Sequence, residues 1–259
     1  MLLIIEALLL ILAALGQDHS AAAGQIFPLD MALNSVDDQY SGCRGYMAHL
    51  VETKYLKDEI KNSLAKYWQS SANIVKYPKD QLTRNHLIAI YVYSDSSVFK
   101  DFNSDTRYGK NQYKYNTYKW YSLYFLLTEA VQILKKTQNR CYYTYRGNTV
   151  EFNKNVLNTE VRFGSFTSSS LDRNVAQGFA STSCFEIYTC EGAELTKYSK
   201  YPDEREVLIP PYEKFRVTDV RTRKYQHNLW CETVYTLKSS GKVSYQNCAV
   251  AFRIHDELV

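Results

Sequence analysis

The chain has 259 residues, with 31 Lys and Arg against 27 Asp and Glu, a net charge of +4. That length suits one large domain or two small ones, and so mild a charge does not mark a nucleic-acid binder. The six cysteines include no C-x-x-C pair and the five histidines are scattered, so no metal-ligand pattern is present.

The chain begins MLLIIEALLLILAALGQDHS. Its apolar run, Leu2 to Leu15, is too short to span a bilayer and has the form of a secretory signal core. Ala14 and Gly16 supply small residues before a cleavage point, although Glu6 interrupts the run and no basic residue precedes it. The expectation is a signal peptide over 1–16 and a single mature domain over 17–259, against the alternative of a buried N-terminal helix. All six cysteines (Cys43, Cys141, Cys184, Cys190, Cys231, Cys248) follow the leader. An even count in an exported chain suggests disulfides, and six cysteines allow 15 connectivities.

The first half of the mature chain reads as helical. Leu56, Ile60, Leu64 and Tyr67 recur at helical spacing. NHLIAIYVYSD fits a helix or a buried strand. DTRYGKNQYKYNTYKW is polar and tyrosine-rich and reads as an irregular loop, either solvated or in contact with a nucleotide. In YSLYFLLTEAVQILKK, Leu123, Leu126, Leu127, Ala130, Val131 and Leu134 form one stripe, and Lys135 and Lys136 suit a last helical turn.

After Cys141 the texture changes. CYYTYRG, VRFGSFTSSSL, CFEIYTC, EREVLIPP, KFRVTDVR, CETVYTL and KVSYQNCAVAF are short, β-branched or aromatic, and separated by turn residues. Helices followed by strands imply an α+β domain. The C-terminal CAVAFRIHDELV has no hydrophobic tail, so no GPI signal is read there. HDEL at 255–258 lies one residue short of the end, where Val259 should mask it, so secretion is expected over ER retention. No N-x-S/T sequon occurs.

Three stretches of the strand-rich half carry candidate chemistry. In YPDEREVLIPPYEKF, a strand would place Glu204 and Glu206 on one face, roughly 6–7 Å apart, and Arg205 on the other. Such carboxylates repel, which is tolerable at a solvated strand end or where chemistry needs it. Pro210 and Pro211 should end the ladder. In YRG, Arg146 before Gly147 at a strand end can meet a phosphate with little hindrance. In FGSFTSSSLDR, Phe163, Ser165 and Thr167 should alternate along a strand against Gly164, Phe166 and Ser168. Ser168 to Ser170 would cap a helix beginning near Leu171 or bond a ligand amide.

In order, these give Arg146, Ser168 and Glu204-x-Glu206. The chain here resembles the vertebrate ecto-ADP-ribosyltransferases, which share an arginine–serine–glutamate layout with several bacterial toxins. The blocks AIYVYSDSSVFKDFN, FLLTEAVQIL, CYYTYRG, VRFGSFTSSSL, YTCEGAEL and SKYPDEREVLIPPYEKF carry it across roughly residues 40–250.

The resemblance implies helices followed by a mostly antiparallel β core of two packed sheets, with a cleft for NAD as co-substrate and no metal. Arg146 matches the arginine supporting the NAD phosphate and ribose, and Gly147 after it is expected among the NAD-binding residues. Ser168 matches the first serine of S-x-S, which holds the nicotinamide ribose and orients the catalytic carboxylate. Glu206 matches that carboxylate, and Glu204 the upstream glutamate of arginine-modifying members. Tyr93 and Ser199 stand where family NAD contacts lie.

The resemblance also pairs Cys43 with Cys248 and Cys141 with Cys190. Cys184 and Cys231 depart from the pattern and are left as a third bridge or two buried thiols. Arg205 replaces a residue commonly acidic in the family. The partners implied are NAD and proteins with exposed arginine, with no nucleic acid, no membrane span, and a monomer. Three functions compete: arginine ADP-ribosylation, NAD hydrolysis, and a non-catalytic binding module.

Overall fold

The computed structural model describes residues 25–75 and 80–251. The expected leader over 1–16 and the HDEL sequence fall outside the described residues.

A two-residue strand β1 (Ile26–Phe27) precedes the helices. Helix α1 (Arg44–Leu50) runs through one π turn, Val51–Tyr55, into α2 (Leu56–Lys61), and α3 (Ala65–Ile74) follows a break at 62–64. Leu56 and Leu64 are buried, and Ile60 and Tyr67 pack against the same core, so the stripe holds across the break. NHLIAIYVYSD becomes helix α4 (Arg84–Tyr93). A capping box starts it: Thr83 Oγ1 accepts from His86 N at 3.3 Å, and His86 Nδ1 accepts from Thr83 N at 3.0 Å.

The expected irregular loop over 105–120 is corrected. Its start belongs to α5 (Ser96–Tyr108) and its middle to α6 (Lys110–Lys114). Tyr113 and Tyr118 are buried, and their hydroxyls are satisfied inside. Tyr113 donates to Asp38 Oδ2 at 2.8 Å, and the Tyr118 hydroxyl lies 2.7 Å from Thr106 Oγ1. The polar composition concealed core residues because tyrosine buries its ring once its hydroxyl finds a partner. Helix α7 (Tyr121–Gln138) buries all six residues of the predicted stripe.

The strands are β2 (Tyr142–Asn148), β3 (Glu151–Phe152), β4 (Glu160–Val161), β5 (Thr167–Ser170), β6 (Ser183–Thr189), β7 (Ala193–Glu194), β8 (Glu206–Ile209), β9 (Glu213–Thr222) and β10 (Thr233–Lys242). Eight form one ladder in the order β4-β9-β10-β6-β2-β5-β8-β7, and β1 pairs with β3. Within the ladder only β10–β6 is parallel.

One residue pair, Tyr145 with Ser170, joins β2 to β5. The two expected sheets are thus a five-stranded and a three-stranded arm of one ladder. Ile209 of the three-stranded arm packs with Phe185, Ile187, Phe215, Val217 and Leu237 of the other. On its other side the shorter arm meets the helices, where Phe166, Ala193 and Leu208 join the core built on α4 and α7.

The strand expected over 163–168 starts only at Thr167, because Gly164 (φ +72°) turns the chain. Helix α8 (Arg173–Phe179) is capped by Asp172, whose Oδ1 accepts from Asn174 N at 2.8 Å, and not by the serines. Three disulfides close the framework. Cys43–Cys248 joins the N-terminus of α1 to the C-terminal segment, and Cys141–Cys190 joins the start of β2 to the end of β6. Cys184 and Cys231 form the third bridge, with Cα atoms 6.0 Å apart.

Candidate active site

Strand β2 alternates, so Arg146 faces the interior while Tyr143 faces outward. Arg146 is 1% exposed. Its Nη1 donates to the Ser168 carbonyl at 2.5 Å, while Nε and Nη2 have no hydrogen-bond partner among the described residues. Burial lowers its pKa to about 10, opposed by the nearby Tyr93 and Glu206, so it stays charged at neutral pH. A buried cation whose N–H groups lack acceptors is costly, and a ligand or ordered water can supply them.

Gly147 points the other way. A Cβ there would lie 2.2 Å from Ala180 O and 2.6 Å from Ala176 O, so this glycine lets α8 pack against β2. The structure gives it that packing place beside Arg146.

Antiparallel pairing sets Ser168 opposite Leu208 and Ser170 opposite Glu206. Glu206 is buried as the first residue of β8. Burial raises its pKa, while the Ser168 hydroxyl, the Arg146 charge and the Ser199 hydroxyl pull it back.

Glu204 does not share a strand face with Glu206, which corrects the alternation expected for E-x-E. Pro202–Glu204 form one 3-10 turn, Arg205 adopts the left-handed region at φ 48°, ψ 48°, and the strand begins only at Glu206. Arg205 is exposed. The turn is fastened to β5. Ser170 Oγ donates to the Glu204 carbonyl at 2.7 Å, and Leu171 N donates to the Arg205 carbonyl at 3.1 Å.

Both carboxylates still reach one cleft, lined by Tyr93, Ser94, Phe99, Ser168, Ser199, Tyr201, Glu204 and Glu206. Burial, and then the charge of Glu206, push Glu204 up to about 8. Its Oε1 is buried without a partner among the described residues.

The residues expected from sequence therefore converge, with Gly147 and Arg205 turned elsewhere. Tyr93 donates its hydroxyl to Phe166 O and accepts from Asn103 Nδ2, each at 3.2 Å. Burial and the Glu206 charge push its pKa up to about 12. Ser199 Oγ accepts from Tyr201 N at 3.1 Å and lies 3.4 Å from Ser94 Oγ.

Sequence reasoning missed Ser94, Phe99 and Tyr201 in the cleft wall, and Ser170 as the anchor of the Glu204 turn. Ser94 and Phe99 sit in a quoted block, AIYVYSDSSVFKDFN, and were within reach of that signal. The arrangement can stabilise positive charge at Glu206 and hold a cationic group at Glu204. Among the described residues no group of three or more His, Cys, Asp or Glu is placed to hold a metal ion, and no helix is long and apolar enough to cross a membrane.

The family model described as NAD:arginine ADP-ribosyltransferase matches residues 29–239. A chicken (Gallus gallus) protein named NAD(P)(+)--arginine ADP-ribosyltransferase 2 is 38% identical over 85% of this chain and 72% of its own. The human GPI-linked NAD(P)(+)--arginine ADP-ribosyltransferase 1 is 33% identical over 90% of this chain and 78% of its own. The crystal structure of the eucaryotic mono-ADP-ribosyltransferase ART2.2 superimposes with a TM-score of 0.72 at 32% identity, covering 86% of this chain and 98% of that one.

Proposed function

Because this chain belongs to the NAD:arginine ADP-ribosyltransferase family, we propose that it moves ADP-ribose from NAD to arginine side chains of proteins and releases nicotinamide. The observation that carries this reading is Arg146. It is buried with Nε and Nη2 unpartnered among the described residues, behind a cleft that holds one constrained and one half-buried carboxylate.

In this reading the free N–H groups of Arg146 take the phosphate and ribose region of NAD, a pairing that suits a guanidinium. Ser168 and Ser199 hold Glu206 in place. Glu206 accepts a hydrogen bond from the ribose 2′-hydroxyl. That bond strengthens as the bond from ribose to nicotinamide breaks and positive charge grows on the sugar. Glu204 binds the cationic guanidinium of the acceptor. It takes the guanidinium proton as a nitrogen bonds to the ribose carbon that nicotinamide leaves. Tyr93 backs the cleft beside Ser168.

The same proposal makes the protein an exported monomer cleaved near Gln17. Three disulfides favour an oxidising compartment.

The test incubates the disulfide-bonded protein with labelled NAD, with and without agmatine. A labelled agmatine adduct is expected, and Glu204→Gln should abolish it while sparing much NAD cleavage. Equal loss of both activities would refute the division of labour between the glutamates. Neither product from the unaltered chain would leave a non-catalytic binding module.

A second reading, NAD hydrolysis with water as acceptor, is favoured by one observation. With its pKa near 8, Glu204 is mostly protonated at pH 7 and so poorly prepared for a cation. Free ADP-ribose alone, at every pH, would decide for that reading.

A further inference from the structure

The inner face of the five-stranded arm is buried, but much of its outer face is open. Alternation on β2, β6, β10 and β9 turns Phe185, Ile187, Leu237, Phe215 and Val217 inward. It turns Tyr143, Tyr188, Lys238 and Arg216 outward. Strand register sets these four side by side: Tyr143 opposite Tyr188, Tyr188 opposite Lys238, and Lys238 opposite Arg216. One row across four strands therefore reads ring, ring, cation, cation. With strands about 4.8 Å apart the row spans about 14 Å.

The row is open where rings and cation meet. Tyr143 is 73% exposed, and its ring centroid lies 4.5 Å from that of Tyr188. Tyr143, Tyr188 and Lys238, with Arg173 of α8 and Glu186, line a groove on this face.

Charge on the face is unbalanced. Lys238 and Arg216 are like charges directly opposite each other, an arrangement that destabilises a sheet. The nearby acids are already engaged. Glu160, which ends the row beyond Arg216, accepts from Lys214 Nζ at 2.8 Å and from Ser240 Oγ at 2.9 Å. Glu186 and Asp219 both pair with Arg221. Among the described residues Arg173, Arg216 and Lys238 have no carboxylate within ion-pair distance, and Arg216 donates only to the Asn158 carbonyl, at 2.9 Å.

We propose that this outer face binds a sulfated polysaccharide. Sugar rings lie against Tyr143 and Tyr188, and sulfate groups meet Lys238, Arg216 and Arg173. Open tyrosine rings continuous with cations that have no carboxylate within ion-pair distance suit a ligand that alternates apolar ring faces with anions. An acidic peptide would leave the two rings unused. A nucleic acid also combines rings with anions, but the three disulfides belong to an oxidising compartment, where sulfated glycans are the available polyanion. The face lies opposite Arg146 on the same strand, so binding there leaves the cleft open.

The test uses the intact disulfide-bonded protein and a fluorescent heparin octasaccharide, titrated at several salt concentrations. The unaltered protein should bind with affinity that falls as salt rises. The pair Arg216→Ser, Lys238→Ser should weaken binding about tenfold and flatten the salt dependence, as removal of two counterion-releasing contacts requires. Tyr143→Ala should weaken binding severalfold with the salt slope unchanged. Arg140→Ser, a cation elsewhere on the surface, should bind as the unaltered protein does. Thermal melts would show that the variants are folded, since all the altered side chains are exposed. No binding, binding indifferent to these substitutions, or equal affinity for a single-stranded DNA of matched charge would each overturn the proposal.

Discussion

On the proposed function, raising the pH from 7 to 9 should shift the products from free ADP-ribose toward arginine adduct. The perturbed group is Glu204, whose pKa is lifted from 4.5 to about 8 by burial and then by the charge of Glu206. At about 1.4 kcal/mol per tenfold, ionising it in the free protein costs on the order of 5 kcal/mol more than in water. With a pKa of about 8, roughly one molecule in ten carries the anion at pH 7 and nine in ten at pH 9. Only the anion can hold the acceptor guanidinium, which stays protonated throughout this range. The ratio of agmatine adduct to free ADP-ribose, taken from one reaction at low agmatine, cancels the shared step of nicotinamide loss. It should rise about ninefold between pH 7 and 9, with a midpoint at or somewhat below 8 because bound cations favour the carboxylate. Glu204→Gln should give a low ratio at every pH. A flat ratio in the unaltered protein, or the same rise in the Gln variant, would refute the assignment of acceptor handling to Glu204.

Ser170→Ala removes the hydroxyl that bonds the Glu204 carbonyl and accepts from Asp172 N at 2.9 Å. It should lower the melting temperature by the equivalent of about 1–2 kcal/mol and reduce agmatine adduct more than NAD cleavage. Breaking Cys184–Cys231 by a double change to Ala should cost about 4 kcal/mol by chain entropy over a separation of 47 residues. Denaturant melts would measure this, with NAD cleavage retained in the folded fraction because the bridge packs with Ala176 and Val234, away from the cleft. Glu59 is buried and raised from 4.5 to about 8, with burial the main cause. Over that range the unfolded chain has released this proton and the folded chain keeps it, so stability falls as pH rises. Glu204 and Glu206 tilt stability the same way, so the comparison is with Glu59→Gln. That variant should melt higher than the unaltered protein at pH 8 and alike near pH 4.5.

The parts legible in the sequence were those with a local period or a paired signal. The α7 stripe, Leu123 to Leu134, repeats over about three turns, and its burial follows directly. Arg146, Ser168 and Glu206 were found as an ordered set, each weak alone. The segment over 105–120 was misread because tyrosine is scored as polar yet buries its ring, as Tyr113 and Tyr118 do. Ser168 to Ser170 read from sequence as helix caps or ligand contacts, since serine favours caps. Ser170 Oγ does accept from the local Asp172 N, but it donates to the Glu204 carbonyl, 34 residues away, which leaves no local trace. The pairing of Cys184 with Cys231 depends on β6 meeting the segment before β10, a long-range fact that counting cysteines cannot supply.

The turn at Arg205 explains how two neighbouring carboxylates acquire different properties. On one strand face Glu204 and Glu206 would have had similar burial and mutual repulsion with no means of separating their tasks. The left-handed conformation of Arg205 ends the 3-10 turn and begins the strand within one residue. Glu206 is thereby sealed among Ser168, Ser199 and the charge of Arg146, while Glu204 stays half-buried at the mouth. A residue other than glycine there carries a conformational cost of about 1–2 kcal/mol. Ser170 and Leu171 hold the turn against that cost through hydrogen bonds to the carbonyls of Glu204 and Arg205. On the proposed function, the strain sits where the buried carboxylate must be fixed and the outer one must meet a substrate that arrives from solvent.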